Sequence, residues 1–399
     1  MSQKQENLIV ALDIGSAWTR VVIAELFENS LRYYGHGIVE SAGMRKGLIA
    51  DLTPAAKAVR AASEEAEQAA HVNIDECSIS IGGPHIRGLN STGGYELGNR
   101  MREITRDDVR TAVDRARAID RPPDREILHL LHRQFILDDQ PGIFDPVGMV
   151  GTKLEVELHI ATCSASALQS AVTCANRAGL EVTEAVLEVI AAAEATLSAD
   201  ERELGVCLLD VGAHSSDLVV FFEGAVVYTA SIPIGGMHFT NDVAVGLQIP
   251  LAQAEELKRQ YGNAVVTSVP QHAEIKMGDQ VFRQRMLAEI LEPRARELLY
   301  YVKDSLRQGG VVDALGAGCV MIGGGSLLPG MLDVTESLLR APARIGSPVR
   351  LSRMPQELVD PTWAVALGTL LYVQRTRSTR ADEDRSLRSK LRSMFTSSF

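Results

Sequence analysis

Apolar residues gather in short runs that end in a shared polar signature. Leu8-Ile9-Val10-Ala11-Leu12 drives into Asp13-Ile14-Gly15-Ser16, and Thr19 to Ala24 returns as a second apolar run. Near the middle of the chain the pattern recurs: Cys207-Leu208-Leu209 enters Asp210-Val211-Gly212, a short turn through Ala213-His214-Ser215 follows, and Leu218 to Phe222 returns. Both read as buried strand, tight turn, strand. A third buried run, Val320-Met321-Ile322, meets Gly323-Gly324-Gly325 and then a helix. Between these landmarks strands and helices alternate. Arg32 to Ser41 and Glu76 to Gly82 read as strands, and Thr53-Pro54 opens a helix through Ala70 with Thr as its cap. From Pro84 to about Thr162 the texture changes to a charged helix, Thr105 to Ile119, and two strands, Glu126 to Leu137 and Leu154 to Cys163. Ser164 to Ala178 is a helix ended by Gly179, and Val182 to Ala199 reads as an Ala-rich helix. Later come a strand in Tyr228 to Met237 with the pair Gly235-Gly236, then helices over Ala252 to Tyr261, Val281 to Leu306 (with Pro293 inside) and Ala364 to Tyr372.

With 399 residues, 46% of them apolar, the chain suits an α/β protein of two lobes or more. The net charge of −11 argues against general nucleic-acid binding. Five scattered cysteines, with no Cys-x-x-Cys pair, point to buried thiols in a reducing compartment. No apolar run approaches the roughly 20 residues that span a bilayer, and the polar start, Met1 to Asn7, does not read as a signal segment.

The residue types at the three landmarks suit phosphate and metal. Glycine lets the backbone approach a ligand without a Cβ, and consecutive turn N–H groups with a Ser hydroxyl form an anion-binding nest. An aspartate at a strand end holds hydrated Mg²⁺ beside phosphate. Three glycines let a base or ribose lie flat on the backbone, with the following helix start facing phosphate. In order, these segments resemble the two phosphate loops and the adenosine loop of the actin, Hsp70 and sugar-kinase superfamily. That resemblance implies a fold and does not choose a function.

A more specific resemblance covers essentially the whole chain. Leu12-Asp13-Ile14-Gly15-Ser16, Asp145-Pro146-Val147-Gly148, Asp200 to Cys207, Leu287-Ala288-Glu289-Ile290-Leu291-Glu292-Pro293-Arg294 and the terminal segment resemble the FtsA family, bacterial cell-division proteins that tether FtsZ filaments to the inner membrane. The resemblance implies an α/β, actin-like ATPase fold with two lobes, duplicated mixed-sheet cores and a small inserted α+β subdomain. Residues 1–83 and 163–199 form the first lobe core, and 84–162 the insert, placed on the other side of the lobe from actin's equivalent. Residues 200–245 and 316–374 form the second lobe core, 246–315 its small subdomain, 375–385 a linker, and 386–399 an amphipathic membrane-targeting helix.

ATP with Mg²⁺ is expected between the lobes, bound by Asp13, Gly15, Ser16, Asp210, Gly212, His214, Ser215, Lys258, Gly323, Gly324 and Gly325. Asp13 and Asp210 would hold the metal through water, and Lys258 would touch adenosine. Glu188 stands in the region where hydrolysing relatives orient water, and the chain is expected to be at most a weak ATPase and chiefly a binding and scaffold protein. The family commonly has glycines where this chain has Ala213 and His214; a ring at 214 disfavours positive φ, so binding is expected ahead of turnover, and glycine there should raise affinity. Expected partners are the FtsZ C-terminal tail at Arg283, Arg285, Glu289 and Arg294, copies of the chain in head-to-tail filaments, and other division proteins through the insert. Location is expected at the cytoplasmic face of the inner membrane, at the division site.

The terminal segment supports this from its own pattern. Leu387, Leu391, Met394 and Phe395 fall on one helical face, and the neighbouring charges, among them Arg388 and Arg392, are all positive. A basic amphipathic helix suits anionic lipid at an interface. Two other functions stay open: a pilus-assembly adaptor similar to PilM, and a phosphotransferase similar to sugar kinases.

Overall fold

The computed structural model describes residues 7–378 apart from 29, 99, 278 and 279. Two five-stranded sheets share one topology. In the first, Leu8–Ile14 pairs antiparallel with Trp18–Phe27, which pairs antiparallel with Ser30–Glu40. On its other side Leu8–Ile14 runs parallel to Glu76–Ile81, which runs parallel to Glu181–Leu187. In the second sheet Val206–Val211, Ser216–Phe222 and Ala225–Ile232 make the antiparallel meander, and Gly318–Ile322 and Ala343–Ile345 the parallel side. The two hairpins seen in the sequence therefore occupy equivalent places in two copies of one sheet, with the Asp-x-Gly turns at equivalent strand ends.

The near-continuous apolar character of Leu8–Ile14 and Val206–Val211 follows from burial on both faces. Leu12, Val21 and Ile79 of the first sheet share one core with Leu208, Val219 and Ile322 of the second, joined by Ile190 and Ala191 of the helix Glu188–Thr196. The other face of the first sheet, at Ile9, Ala11 and Val22, packs on Trp363, Leu367 and Leu370 around the start of the helix over 364–378. The helix Gln284–Gln308 buries Leu287, Leu291 and Leu298 in one core with Leu209, Val211 and Val220 of the second sheet.

The insert forms its own antiparallel sheet in the order Gln140–Ile143, Arg125–Leu137, Lys153–Ser164, Arg87–Glu96, covered by the helix Arg106–Arg117. Thr105 caps that helix, with Asp108 closing a reciprocal capping box. The insert also touches the second lobe. Buried His159 links Asn90 Oδ1 at 2.7 Å to Thr229 Oγ1 at 2.9 Å, and Asn90 Nδ2 donates to the Val227 carbonyl at 3.2 Å.

Four sequence expectations need correction. Residues 181–187 form an edge strand, and the Ala-rich helix begins only at Glu188, because Val182, Glu184 and Val186 pair in parallel with Cys77, Ser78 and Ser80. The helix Leu52–Ala70 is capped by Asp51, whose carboxylate accepts the Thr53 N–H at 3.0 Å, so Thr53 is not the cap. Residues 281–283 belong to the strand Gln280–Arg283, paired with Glu274–Met277, while Pro293 lies inside an unbroken helix. The helix beginning at 364 continues to 378, past the expected linker start at 375, because Arg375 pairs with Glu194 at 3.3 Å and Arg377 reaches the Leu8 carbonyl. Leu387, Arg388, Leu391, Arg392, Met394 and Phe395 lie outside the described residues.

Candidate functional site: an acidic cleft between two hairpins

Strand geometry brings the two Asp-x-Gly turns together at one end of the paired sheets. Asp13 is buried, accepts the Ser80 hydroxyl at 3.1 Å, and lies 3.6 Å from Arg20. Arg20 stands directly opposite Asp13 in the hairpin register and stacks its guanidinium over the Trp363 ring, 5.4 Å from its centroid. In the second hairpin the matching position opposite Asp210 is Asp217, also a carboxylate and also buried. Asp217 accepts the Ser215 hydroxyl at 3.1 Å and the Gly83 backbone N–H at 3.2 Å. Glu188, first residue of its helix, lays its carboxylate against Gly82.

Four carboxylates thus converge with Arg20 as the cation that acts on Asp13 and Asp210. Burial raises Asp13, opposed by Arg20 and Ser80. Burial, then the charges of Asp217 and Asp13, push Asp210 up to about 7. Burial raises Asp217 as well, and burial plus Asp13, Asp217 and Asp210 hold Glu188 well above the usual carboxylate range. Such a cleft gains from any added positive charge. Among the described residues no three His, Cys, Asp or Glu side chains are grouped to hold a metal ion directly. A divalent cation that kept its water and took the rest of its charge balance from a phosphate would suit this arrangement.

The second turn is anchored from behind. Gly236 and Met237, at the start of the helix Gly236–Leu247, donate their N–H groups at 2.8 Å to the carbonyls of Gly212 and Ala213. A Cβ on Gly235 would meet the Gly212 carbonyl oxygen at 2.6 Å, so the glycine that this packing needs is Gly235. Neither Ala213 nor His214 is among the described residues with positive φ. The expectation that His214 strains the turn is therefore corrected: the turn does not ask for a left-handed residue there. His214 Nδ1 is buried and lacks a hydrogen-bond partner, and burial followed by His238 lowers the ring's pKa. In the first turn, Ser41 donates to the Gly15 carbonyl at 2.7 Å, and Trp18 stays 40% exposed. On the glycine loop, Gly323 has φ +77°, and a Cβ there would lie 2.2 Å from Asp210 Oδ1.

Lys258 lies beside the second turn. It donates to the Gly236 carbonyl at 3.0 Å and Thr240 Oγ1 at 2.9 Å, and pairs with Glu255 at 2.6 Å. Of the expected peptide-docking residues, Arg283 and Glu289 are exposed and Arg285 pairs with Glu289 at 3.4 Å. Arg294 is already engaged: it grips both oxygens of Asp242 at 2.6 and 2.9 Å and also pairs with Glu297. Behind Glu188 a half-open cavity of about 180 Å³ is lined by Ser80, Gly82, His85, Ser164 and Ser170.

Asp217, Arg20, Ser80 and Gly235 were not among the residues assigned from sequence. For the first two, a signal existed in hairpin register: once Asp13 and Asp210 are assigned, the residues opposite them follow by counting through the turn.

Two copies of one mixed sheet, facing each other across an acidic cleft with glycine turns, define a two-lobed protein of the actin-like class. Solved structures agree: the PilM–PilN type IV pilus biogenesis complex matches with a TM-score of 0.65 at 18% identity, covering 91% of this chain and 98% of that one. MreB 5 of Spiroplasma citri bound to AMPPNP matches at 0.55 and 15%, covering 94% and 99%. At these identities the likeness concerns the fold. Sequence relatives are more specific. Cell division protein FtsA of Pseudomonas aeruginosa is 35% identical over 93% of this chain and 90% of its own length. The Bacillus subtilis FtsA is 32% identical over 92% and 84%, and the Escherichia coli K12 FtsA 30% over 92% and 90%. Family models match too: cell division protein FtsA over residues 207–368 and the SHS2 domain inserted in FtsA over 83–162. The chain belongs to the FtsA family of cell division proteins.

Proposed function

We propose that this chain binds Mg·ATP between its two hairpins, assembles with copies of itself on the inner membrane, and holds FtsZ filaments there at the division site. The observation that carries the reading is the pair of strand-end aspartates, Asp13 and Asp210, in matching places on opposite sides of a cation-seeking cleft. Asp13 and Asp210 would face the metal through its water, while the two turns, at Gly15 and Ser16 and at Gly212, His214 and Ser215, would line the phosphates. Gly323, Gly324 and Gly325 would lie under the nucleoside, with Lys258 approaching it. When bound, Mg²⁺ would neutralise phosphate and carboxylate charge together. Glu188, whose carboxyl is held above its ordinary range by burial and by Asp13, Asp217 and Asp210, would orient a water, with slow hydrolysis at most.

The FtsZ tail would dock on the small subdomain, where Arg283 and Arg285 offer positive charge to an acidic extended peptide. Residues 386–399 would lie in the lipid interface. One such helix gives modest, reversible binding, and a filament multiplies it through avidity. The insert would present a surface to other division proteins. Among the described residues no helix is long and apolar enough to cross a membrane.

Co-sedimentation with vesicles containing anionic lipid tests this reading. The full chain with Mg·ATP should pellet, while a chain ending at 385 and the variants Leu391→Glu and Phe395→Glu should stay in solution with ATP binding intact. Equal pelleting by the truncated chain would remove the terminal segment as the anchor.

A further inference from the structure

Elements from three separate stretches of the chain meet at His129. The imidazole comes from the insert's strand Arg125–Leu137 and is buried. Its Nε2 accepts the Leu187 backbone N–H at 2.9 Å. Leu187 ends the edge strand of the first sheet and immediately precedes Glu188, so the bond fixes the backbone that launches the Glu188 helix. An amide buried on the free side of an edge strand must find a partner, and here the insert supplies it.

Because Nε2 accepts, a neutral ring carries its proton on Nδ1, which faces the Tyr372 hydroxyl oxygen at 3.4 Å. The two rings meet edge to face, 5.6 Å between centroids. Burial, and then Arg375, lower the imidazole pKa to about 4, consistent with the neutral form. Tyr372 lies on the helix over 364–378. The other end of the Glu188–Thr196 helix returns to that same helix, where Glu194 pairs with Arg375 at 3.3 Å. Between these points the helices pass so closely that a Cβ on Gly368 would lie 1.9 Å from the Ala191 carbonyl oxygen. The short helix bearing Glu188 is thus clamped along its length to the helix from which residues 379–399 continue.

We propose that His129 is a positioning residue that couples the cleft to the C-terminal helix, so that nucleotide occupancy and the seating of residues 364–378 shift together through Leu187 and Tyr372. The coupling rests on the reading of the cleft as a nucleotide site. By linkage it runs both ways: whatever loads the C-terminal helix changes nucleotide affinity by the same factor.

The test is hydrogen exchange by mass spectrometry on the full chain with and without Mg·ATP, alongside nucleotide titration. In the parent, Mg·ATP should slow exchange in 188–196 and in 364–378 by about fivefold or more. His129→Leu removes the acceptor; it should still bind Mg·ATP, yet the response of 364–378 should disappear. His129→Gln, whose Oε1 can accept the Leu187 N–H, should restore it, which a loss of packing alone would not do. Should His129→Leu fail to fold, Tyr372→Phe severs the helix side of the junction and should weaken the same response. An undiminished response in the Leu variant, or in Tyr372→Phe where that stands in for it, overturns the coupling, as does a parent that binds Mg·ATP without any change in 364–378. A parent that binds no Mg·ATP overturns the cleft reading and the coupling with it.

Discussion

Asp210 stands directly opposite Asp217 across the second hairpin, where the first hairpin sets Asp13 opposite Arg20. Like charges facing each other across a strand pair destabilise it, so this hairpin is held by other contacts. Asp217 supplies two of them, accepting the Ser215 hydroxyl from its own turn and the Gly83 N–H from the start of the insert. Asp217→Ala should leave both donors unpaired at a cost of about 1–3 kcal/mol each, partly offset by relief of the Asp210 repulsion. A melting temperature lower by several degrees is expected. Asp217→Asn keeps an acceptor and should lose less. Thermal melts of both variants would check this, and an unchanged melting temperature for Asp217→Ala would count against the latch.

The pH dependence follows from Asp210. Its pKa rises from the ordinary 3.8 to about 7 in the fold. Between those values the folded state binds more protons than the unfolded one, so this group's contribution to stability falls as pH rises from about 4 to about 7 and levels off above. The nucleotide-free protein should gain melting temperature in Asp210→Asn relative to parent at pH 8, and much less at pH 5. Mg·ATP affinity should move oppositely, tightening from pH 6 to 8 as the carboxylate ionises. An affinity flat across that range in the parent would contradict the assignment.

Trp18 and Trp363 make fluorescence a reporter of the first turn. Trp18 is 40% exposed beside Gly15, while Trp363 is buried under Arg20. Adding Mg·ATP should change the emission of the parent, and Trp18→Phe should remove most of that change without altering affinity measured by calorimetry. A full signal in Trp18→Phe would place the responding ring elsewhere.

The glycine loop and the second turn should differ in tolerance. Gly323→Ala forces a methyl toward Asp210 Oδ1 at a backbone of φ +77° and should weaken Mg·ATP binding by about tenfold or more, as expected for 1.4 kcal/mol and above. His214→Gly relieves no backbone strain, since position 214 is not left-handed. Its affinity should stay within about threefold, a difference of roughly 0.7 kcal/mol. Equilibrium titration of both variants checks the contrast.

What could be read from the sequence was what lies close together along it. Asp13, Asp210 and the glycine loop stood out because a buried strand, a turn and a returning strand are local patterns. The duplication of the sheets followed from their recurrence. The rest depended on contacts between distant stretches. Gly83 reaches Asp217 across 134 residues, and His129 reaches Leu187 across 58. The strand Glu181–Leu187 was hidden because a short edge strand leading into an Ala-rich helix has little period of its own; its partner lies at Glu76–Ile81. Arg294 reads in sequence as a charge on a helix surface, and its partner, Asp242, lies on another helix 52 residues away.

The most direct measurement is the equilibrium titration of ATP into the parent, Asp13→Ala and Asp210→Ala, each with Mg²⁺ and with chelator. Charge-assisted contacts of about 1.5–3 kcal/mol correspond to tenfold or more in affinity. The parent should bind Mg·ATP well, and both variants should lose about that factor with Mg²⁺ but much less without it. If either variant binds Mg·ATP as the parent does, its aspartate does not hold the metal, and if both do, the acidic cleft is not the nucleotide site.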